Sequence, residues 1–380
     1  MSGDNVDMNS RFSRRAVLKG TGAAALLPSI AAPAPAETVP HGMPGEGPNT
    51  PKIALSLSQD TMNDAGMRAL KQIGVNHVLM SGPPIPWTEA AIRSRMDTLK
   101  SGGLTLANMM IVGFPNAIYG RPGRDEEIEK VQQSLRTAGN AGLPVVEYNW
   151  YAHRAMEGYF EEPGRSGVGN TGFDYERMKN LPPLPEEGAH NLEEIWNNIT
   201  YFLKAVIPVA EKAGVRMALH PNDPPAPLSR GSQQIMGSVE GWKRLVDIVP
   251  SKSNGITFDC GVTREMGHDP VEVCRYFGQK DRMNHVHFRN VRVQKPYERY
   301  TEVFIDEGEN NMFLVMKELV RQKYPRLVFP EHPRAIDYDR EATKASGGLR
   351  GYPGGGGYAA YVFNVGYARA MMQAALTGNG

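Results

Sequence analysis

The run Val215-Arg216-Met217-Ala218-Leu219-His220, continued by Pro221-Asn222-Asp223-Pro224-Pro225, decides how this chain is read. It has the length and apolar, β-branched content of a buried strand, it follows a stretch of helical spacing over Leu192–Ala213, and it stops on a histidine. The same unit recurs on both sides of it. Strands are predicted at Lys52–Leu57, His77–Met80, Leu104–Ile111, Pro144–Asn149, Val215–His220, Gly255–Asp259, Asn284–Phe288 and Leu327–Pro330. Helical periodicity is clearest at Thr61–Gln72, Glu89–Lys100, Ile128–Ala141, Leu192–Ala213, Val239–Ile248 and Met312–Gln322, with a last helix at about Tyr358–Leu376. Eight β-α units without an internal linker predict one α/β domain, a (β/α)8 TIM barrel. The segment Glu157–His190, rich in Gly, Pro and charge, reads as an insertion above the fourth strand.

Composition narrows the function classes. The chain has 380 residues, with 42 Lys+Arg against 41 Asp+Glu and 41% hydrophobic residues. That balance lacks the positive excess of a nucleic-acid binder and the low apolar content of a disordered chain. Two cysteines cannot build a disulfide framework. Near the start, Ser13-Arg14-Arg15-Ala16-Val17-Leu18-Lys19 precedes an apolar run from Gly20 to Ala32 and a small-residue cleavage site at Ala34-Pro35-Ala36. This pattern predicts a twin-arginine (Tat) export signal over residues 1–36, a single catalytic domain over residues 37–380, and a periplasmic or exported location. The apolar run contains Pro28 and is shorter than the ~20 residues of a spanning helix, so no stable membrane anchor is expected. Export in the folded state makes a metal loaded beforehand worth looking for.

Four strands end in residues that ligate metals: His220 on the fifth, Asp259 on the sixth, His287 on the seventh, and Glu331 directly after the eighth. A TIM barrel brings the C-terminal ends of its strands to one point, so these side chains should converge. Any one such histidine is more often a satisfied polar residue; agreement of position and chemistry on four consecutive strands points to a metal centre. Two imidazoles and two carboxylates suit a divalent ion such as Mn²⁺, with Fe²⁺, Co²⁺ or Mg²⁺ as alternatives. His285 points the same way as His287 one layer deeper, as a core or supporting residue. Arg289 suits either a bidentate hold on a substrate carboxylate or an ion pair with a structural acid.

These residues carry a family resemblance. The chain resembles the mannonate dehydratases, metal-dependent lyases of the xylose isomerase-like TIM-barrel group. The resemblance is visible in Ile128-Glu129-Lys130 through Arg136, Val145-Val146-Glu147-Tyr148-Asn149, His220 to Pro225, Asn254 to Phe258, His287-Phe288-Arg289-Asn290-Val291 and Pro330-Glu331-His332. It implies the same four metal ligands, two of them altered: Asp259 stands at a position where the family has Cys, and Glu331 where it has Asp. Both keep the ligand charge, and the first exchanges sulfur for oxygen. An alignment slipped by one residue would make Cys260 the ligand instead; a Cys260–Cys274 disulfide is also left open. The family's loops after strands two and three are replaced by Ser81 to Pro86 and by Gly113-Phe114-Pro115-Asn116.

The resemblance further implies a β-elimination on an aldonate, D-mannonate in the family, giving a 2-keto-3-deoxy acid. Its acid-base pair is a His beside the last ligand and a later Tyr, which map to His332 and to Tyr358, with Tyr352 in reserve; Arg289 is the expected helper cation. The glycine tract after Tyr352 reads as a linker or a lid. The partner implied is a small sugar acid or sugar, and a homo-oligomer is left open. Two other classes stay in view: an isomerase, epimerase or eliminase acting on a sugar in the same barrel, and an exported sugar-binding protein with a degenerate site.

Overall fold

Alternating short apolar strands with one-sided helices leaves each strand two faces to bury, and a closed parallel barrel ringed by helices buries both. The computed structural model has this architecture and describes residues 42–344 and 352–378. The twin-arginine pattern, its cleavage site and Gly351 lie outside the described residues. The strands are β1 (Lys52–Ser56), β2 (His77–Ser81), β3 (Thr105–Met110), β4 (Val145–Tyr148), β5 (Tyr159–Pro163), β6 (Gly169–Asp174), β7 (Arg216–Leu219), β8 (Asn254–Asp259), β9 (Met283–His287), β10 (Asn290–Lys295), β11 (Arg299–Val303) and β12 (Leu327–Phe329). Eight of them close the barrel in the order β1-β2-β3-β4-β7-β8-β9-β12, every pair parallel. Each barrel strand falls within one residue of the bounds read from the sequence.

The remaining four strands form a second, antiparallel sheet in the order β10-β11-β6-β5. The sequence reading treats Glu157–His190 as an irregular insertion and assigns no strand to residues 290–303; both are corrected here. Neither half has a buried face of its own in the linear pattern, and each becomes a strand pair only by meeting the other. Phe173 and Tyr300, both fully buried, stack under this sheet at 5.0 Å between ring centroids. Burying one such ring contributes on the order of 2–3 kcal/mol. Since β9 runs into β10 across Phe288 and Arg289, the small sheet is carried over the C-terminal mouth of the barrel.

Register sets the layers inside the barrel. Asp259 pairs with His287 and Phe329 with His287, so the ends of β8, β9 and β12 lie level, with Thr257 paired to His285 one layer below. Asp259 also ends its strand: it is the N-cap of the helix Cys260–Glu265, and its Oδ1 accepts from the Val262 amide at 2.9 Å. A helix at Pro270–Gln279, not among those with the clearest periodicity in the sequence, completes the ring between β8 and β9; Asp269 caps it and Pro270 occupies its first turn. Among the described residues, no helix is long and apolar enough to cross a membrane.

Candidate active site

Strand ends place the four expected ligands together. His220 follows β7 and its amide donates to the Tyr148 carbonyl at 2.9 Å, which extends the ladder just far enough to aim the imidazole inward. His220 Nδ1 lies 2.8 Å from the Pro221 carbonyl, so it carries the proton and leaves the Nε2 lone pair free, 3.1 Å from His287 Nδ1. His287 Nδ1 is in turn 2.9 Å from Glu331 Oε1 and 3.9 Å from Asp259 Oδ2. Glu331 follows β12, with its own carbonyl held by Asn364 Nδ2 of the last helix at 3.2 Å.

A fifth group, and the third carboxylate, joins them that the sequence reading does not single out as a ligand. Glu147, third in β4 and nearly wholly buried, brings Oε1 to 3.5 Å from His287 Nε2. Thr257 Oγ1 donates to its Oε1 at 2.7 Å and Asn108 Nδ2 to its Oε2 at 2.9 Å, fixing both oxygens. The signal was a single carboxylate inside the otherwise apolar Val145-Val146-Glu147-Tyr148. Two overlapping triads result, Glu147–His220–His287 and Asp259–His287–Glu331, sharing His287. His285 occupies the deeper layer, its Nε2 4.0 Å from Glu147.

The donor set fits a divalent ion. Ligand atoms bonded to one ion at about 2.1 Å stand roughly 3 Å or more apart, and the contacts among these atoms run from 2.9 to 3.9 Å. His287 Nε2 and Glu331 Oε1 are buried and make no hydrogen bond among the described residues. Electrostatics agree. Burial lowers the His287 pKa, but Glu331 and Glu147 outweigh it and push it up to about 9. A proton on that ring and a metal cation compete for the same carboxylates. Burial and the neighbouring His287 hold His220 down at about 4, keeping it a neutral donor. Glu147, despite burial, is held below the ordinary carboxylate range by His285, His287 and His220. Burial lifts Asp259 to about 6, with Arg289 opposing.

Arg289 is placed differently from the role of substrate clamp. It is buried, it does not line the cavity, and carboxylates surround it: Asp259 at 3.1 Å, Glu331 at 3.2 Å, Asp223 at 3.3 Å and Glu265 at 2.6 Å. Of the two roles read from the sequence, the ion pair with structural acids is the one built. Gly261 makes room for it, since a β-carbon there would stand 2.6 Å from Arg289 Nη1. Asp223 is further fixed by the Tyr159 hydroxyl at 2.6 Å.

Cys260 is settled by the same strand end. Its thiol lies in the apolar core, pushed well above the usual thiol range by burial, while Asp259 faces the ligands. Cys260 and Cys274 are both free.

His332 lines the cavity beside Glu331 with φ +48°, a left-handed conformation uncommon for a residue with a side chain. Its Nδ1 donates to Glu302 Oε2 at 2.7 Å, and its Nε2 is 3.5 Å from Glu331 Oε2. Glu302 comes from β11, so the cap sheet orients a group of the barrel. Tyr358 does not join it: the residue is 44% exposed and its hydroxyl donates to the Ala69 carbonyl at 2.8 Å, on the outside of the barrel. The expectation for Tyr358 is corrected because opening the last helix places it against the first helix, away from the mouth. Tyr352, the reserve, packs its ring 4.7 Å from that of His332, and its buried hydroxyl has no hydrogen-bond partner among the described residues. The tract after it is tied down, with Gly354 accepting from the Ala335 amide and Pro353 from Thr171 Oγ1.

Between these groups is a cavity of about 210 Å³ whose lining includes Glu147, Tyr151, Arg154, His220, His287 and Glu331. A larger cavity of about 350 Å³ adjoins it through Asn149, Tyr151 and Arg154 and contains none of the ligands.

Comparison with known proteins agrees with this geometry. The family model of D-mannonate dehydratase (UxuA) matches residues 169–352. The mannonate dehydratase of Streptococcus pneumoniae (strain 70585) is 32% identical over 254 residues, covering 60% of this chain and 69% of that protein. The crystal structure of mannonate dehydratase from Streptococcus suis serotype 2 superposes with a TM-score of 0.76 at 25% identity, covering 87% of this chain and 96% of the other. An L-ribulose 3-epimerase, at 13% identity and a TM-score of 0.53, shares the fold alone. With a relative this similar matched over more than two thirds of its length, and with the metal-type cluster at the ends of the matched strands, the chain belongs to the mannonate dehydratase family.

Proposed function

We propose that the protein is a metal-dependent hydro-lyase that dehydrates a sugar acid, D-mannonate or a close aldonate, to a 2-keto-3-deoxy acid. The observation that carries this reading is the convergence of His220, His287, Glu331 and Glu147 on one cavity, with Asp259 against His287 and Glu331 behind its lining, beside a histidine oriented by a carboxylate. The residues named would hold a divalent ion, Mn²⁺ first and Fe²⁺, Co²⁺ or Mg²⁺ as alternatives. When bound, such an ion supplies Lewis-acid stabilisation to the charge that develops on the substrate carboxylate as its α-proton leaves.

The chain's own groups do the proton work. His332 presents Nε2 to the cavity, and Glu302 holds Nδ1–H and so the ring plane, the arrangement of an oriented acid-base histidine. Tyr352, packed on that ring, is the counterpart in place of Tyr358. One of the pair takes the proton from the carbon next to the carboxylate; the other delivers a proton to the β-hydroxyl, which leaves as water. Arg289 keeps Asp259 and Glu331 in place and keeps their mutual repulsion down.

We also propose export by the twin-arginine route with cleavage after Ala36, a reading supported by Ser13-Arg14-Arg15 and the small-residue site. The test is metal analysis of the purified protein, followed by an assay for 2-keto-3-deoxy acids over a panel of aldonates. Bound metal that is lost in the His220→Ala, His287→Ala double variant, with turnover of D-mannonate, is the expected result. Metal retained by that variant would sink the site; metal present with every aldonate inert would turn the assignment toward a sugar isomerase or epimerase.

A further inference from the structure

Besides the ion, the site needs a side-chain cation that binds and orients the substrate's carboxylate, and Arg289, enclosed by acids, is not placed to be it. We infer that Arg154 binds that carboxylate and thereby makes the site selective for anionic over neutral sugars. The inference rests on the dehydratase reading and names the residue that selects its substrate class.

Three observations carry it. Arg154 lines both adjoining cavities, so it stands where a substrate passes into the metal-type cluster. Among the described residues its guanidinium has no hydrogen-bond or ion-pair partner; its one side-chain neighbour of note is the ring of Tyr352, 5.0 Å away, which in turn packs on His332. The third is charge. The cavity wall carries Glu147, Asp223 and Glu331 as carboxylates, and Arg154 is its one permanent cation among the described residues. Arg289, outside that lining, offsets part of the charge of Asp223 and Glu331 at 3.3 and 3.2 Å. An anion entering such a wall meets carboxylates on its lining, and Arg154 is the guanidinium there that can pair with it.

The geometry also explains why arginine suits this place. A flat guanidinium resting over the Tyr352 ring keeps its outer edge free, and that edge matches the two oxygens of a carboxylate in a paired, planar contact. Lysine would keep the charge and lose the fork. Two cations of the site therefore have separate roles. Arg289 is held by Asp259, Glu265, Asp223 and Glu331 and serves the protein, while Arg154 is held by no acid among the described residues and serves the ligand.

The experiment compares the metal-loaded wild type with Arg154→Ala and Arg154→Lys in two readouts. In steady-state kinetics with D-mannonate, Arg154→Ala should raise KM about ten- to a hundredfold, the loss expected for one charge-assisted contact, with a smaller change in kcat, and Arg154→Lys should recover part of it. In calorimetric binding, the affinity for D-mannonate should fall by a similar factor, while that for the neutral mannitol stays within twofold. An equal fall for both ligands, or a KM for D-mannonate within twofold of wild type in Arg154→Ala, overturns the inference. A wild type that binds D-mannonate through Arg154 but turns over no aldonate would instead defeat the dehydratase reading and leave the anion site standing.

Discussion

Replacing either of two tyrosines by phenylalanine should have opposite consequences for activity and stability, and the structure sets the sizes. In Tyr358→Phe the protein loses one hydrogen bond from a 44% exposed hydroxyl to the Ala69 carbonyl. Water can replace that partner, so the cost is about 0.5 kcal/mol, at the low end for a hydrogen bond, and kcat/KM should stay within about twofold. In Tyr352→Phe the lost hydroxyl is buried and has no partner among the described residues, so its removal relieves an unsatisfied polar group and should stabilise the fold by up to about 1 kcal/mol. The same change removes one member of the proposed acid-base pair beside His332, which should lower kcat about 10²- to 10⁴-fold, or about 3–5 kcal/mol in activation free energy. A variant that melts no lower than wild type, binds its metal fully and is nearly inactive is a signature that a packing defect does not produce. The assay is initial-rate formation of 2-keto-3-deoxy acid, with metal content and melting temperature measured on the same samples. If Tyr352→Phe keeps more than half of kcat, or Tyr358→Phe loses a hundredfold, the assignment of the acid-base pair is wrong.

Further outcomes follow from the same geometry. Glu147→Gln keeps the shape but not the charge beside His287, and should weaken metal binding at least 100-fold in a chelator titration; unchanged affinity would confine the ion to the Asp259–His287–Glu331 side. Cys260→Ser should leave metal affinity unaltered and cost about 1–2 kcal/mol in denaturant unfolding, because it puts a hydroxyl in the apolar core. Asp281 ties the lower ends of three barrel strands, accepting from Arg216 at 2.8 Å and Arg326 at 2.7 Å. Burial raises its pKa, but those two guanidiniums outweigh it and hold the carboxyl well below the ordinary range. A depressed carboxyl pKa stabilises the fold above its unfolded value of about 3.9, and the gain is lost as pH falls further. Asp281→Asn should therefore be about 1 kcal/mol less stable than wild type from pH 5 to 8, after allowance for solvent screening, with the gap closing below about pH 4; a gap independent of pH would refute the ion-pair origin.

The ligands read from the sequence were legible for a reason specific to this fold. A parallel barrel converts the last residue of each strand into a neighbour of every other last residue, so His220, Asp259, His287 and Glu331 can be placed together before any contact is known. Glu147 escaped because it is the third residue of β4, two before the expected strand end, and its inward aim depends on pairing with Ala218 of β7. Tyr358 was misplaced for the opposite reason. Its position at the start of the last helix was read correctly, but which face of that helix meets the barrel mouth is set by docking against the helix Asp64–Gln72.

By itself, then, the sequence determined the local periods, the eight strands with their end residues, and through them the barrel and its metal-type chemistry. These are short-range properties, fixed by which residues can alternate, cap or stop an element. Tertiary structure alone decided the rest: that residues 159–174 and 290–303 form one sheet, that Glu302 from that sheet orients His332, and that Arg289 is consumed by four acids while Arg154 is left open to a ligand. The physical reason is that the charge state and availability of a side chain depend on partners well separated along the chain, such as Glu265 and Asp223 for Arg289 and Glu302 for His332. Only the folded chain brings those partners within 4 Å.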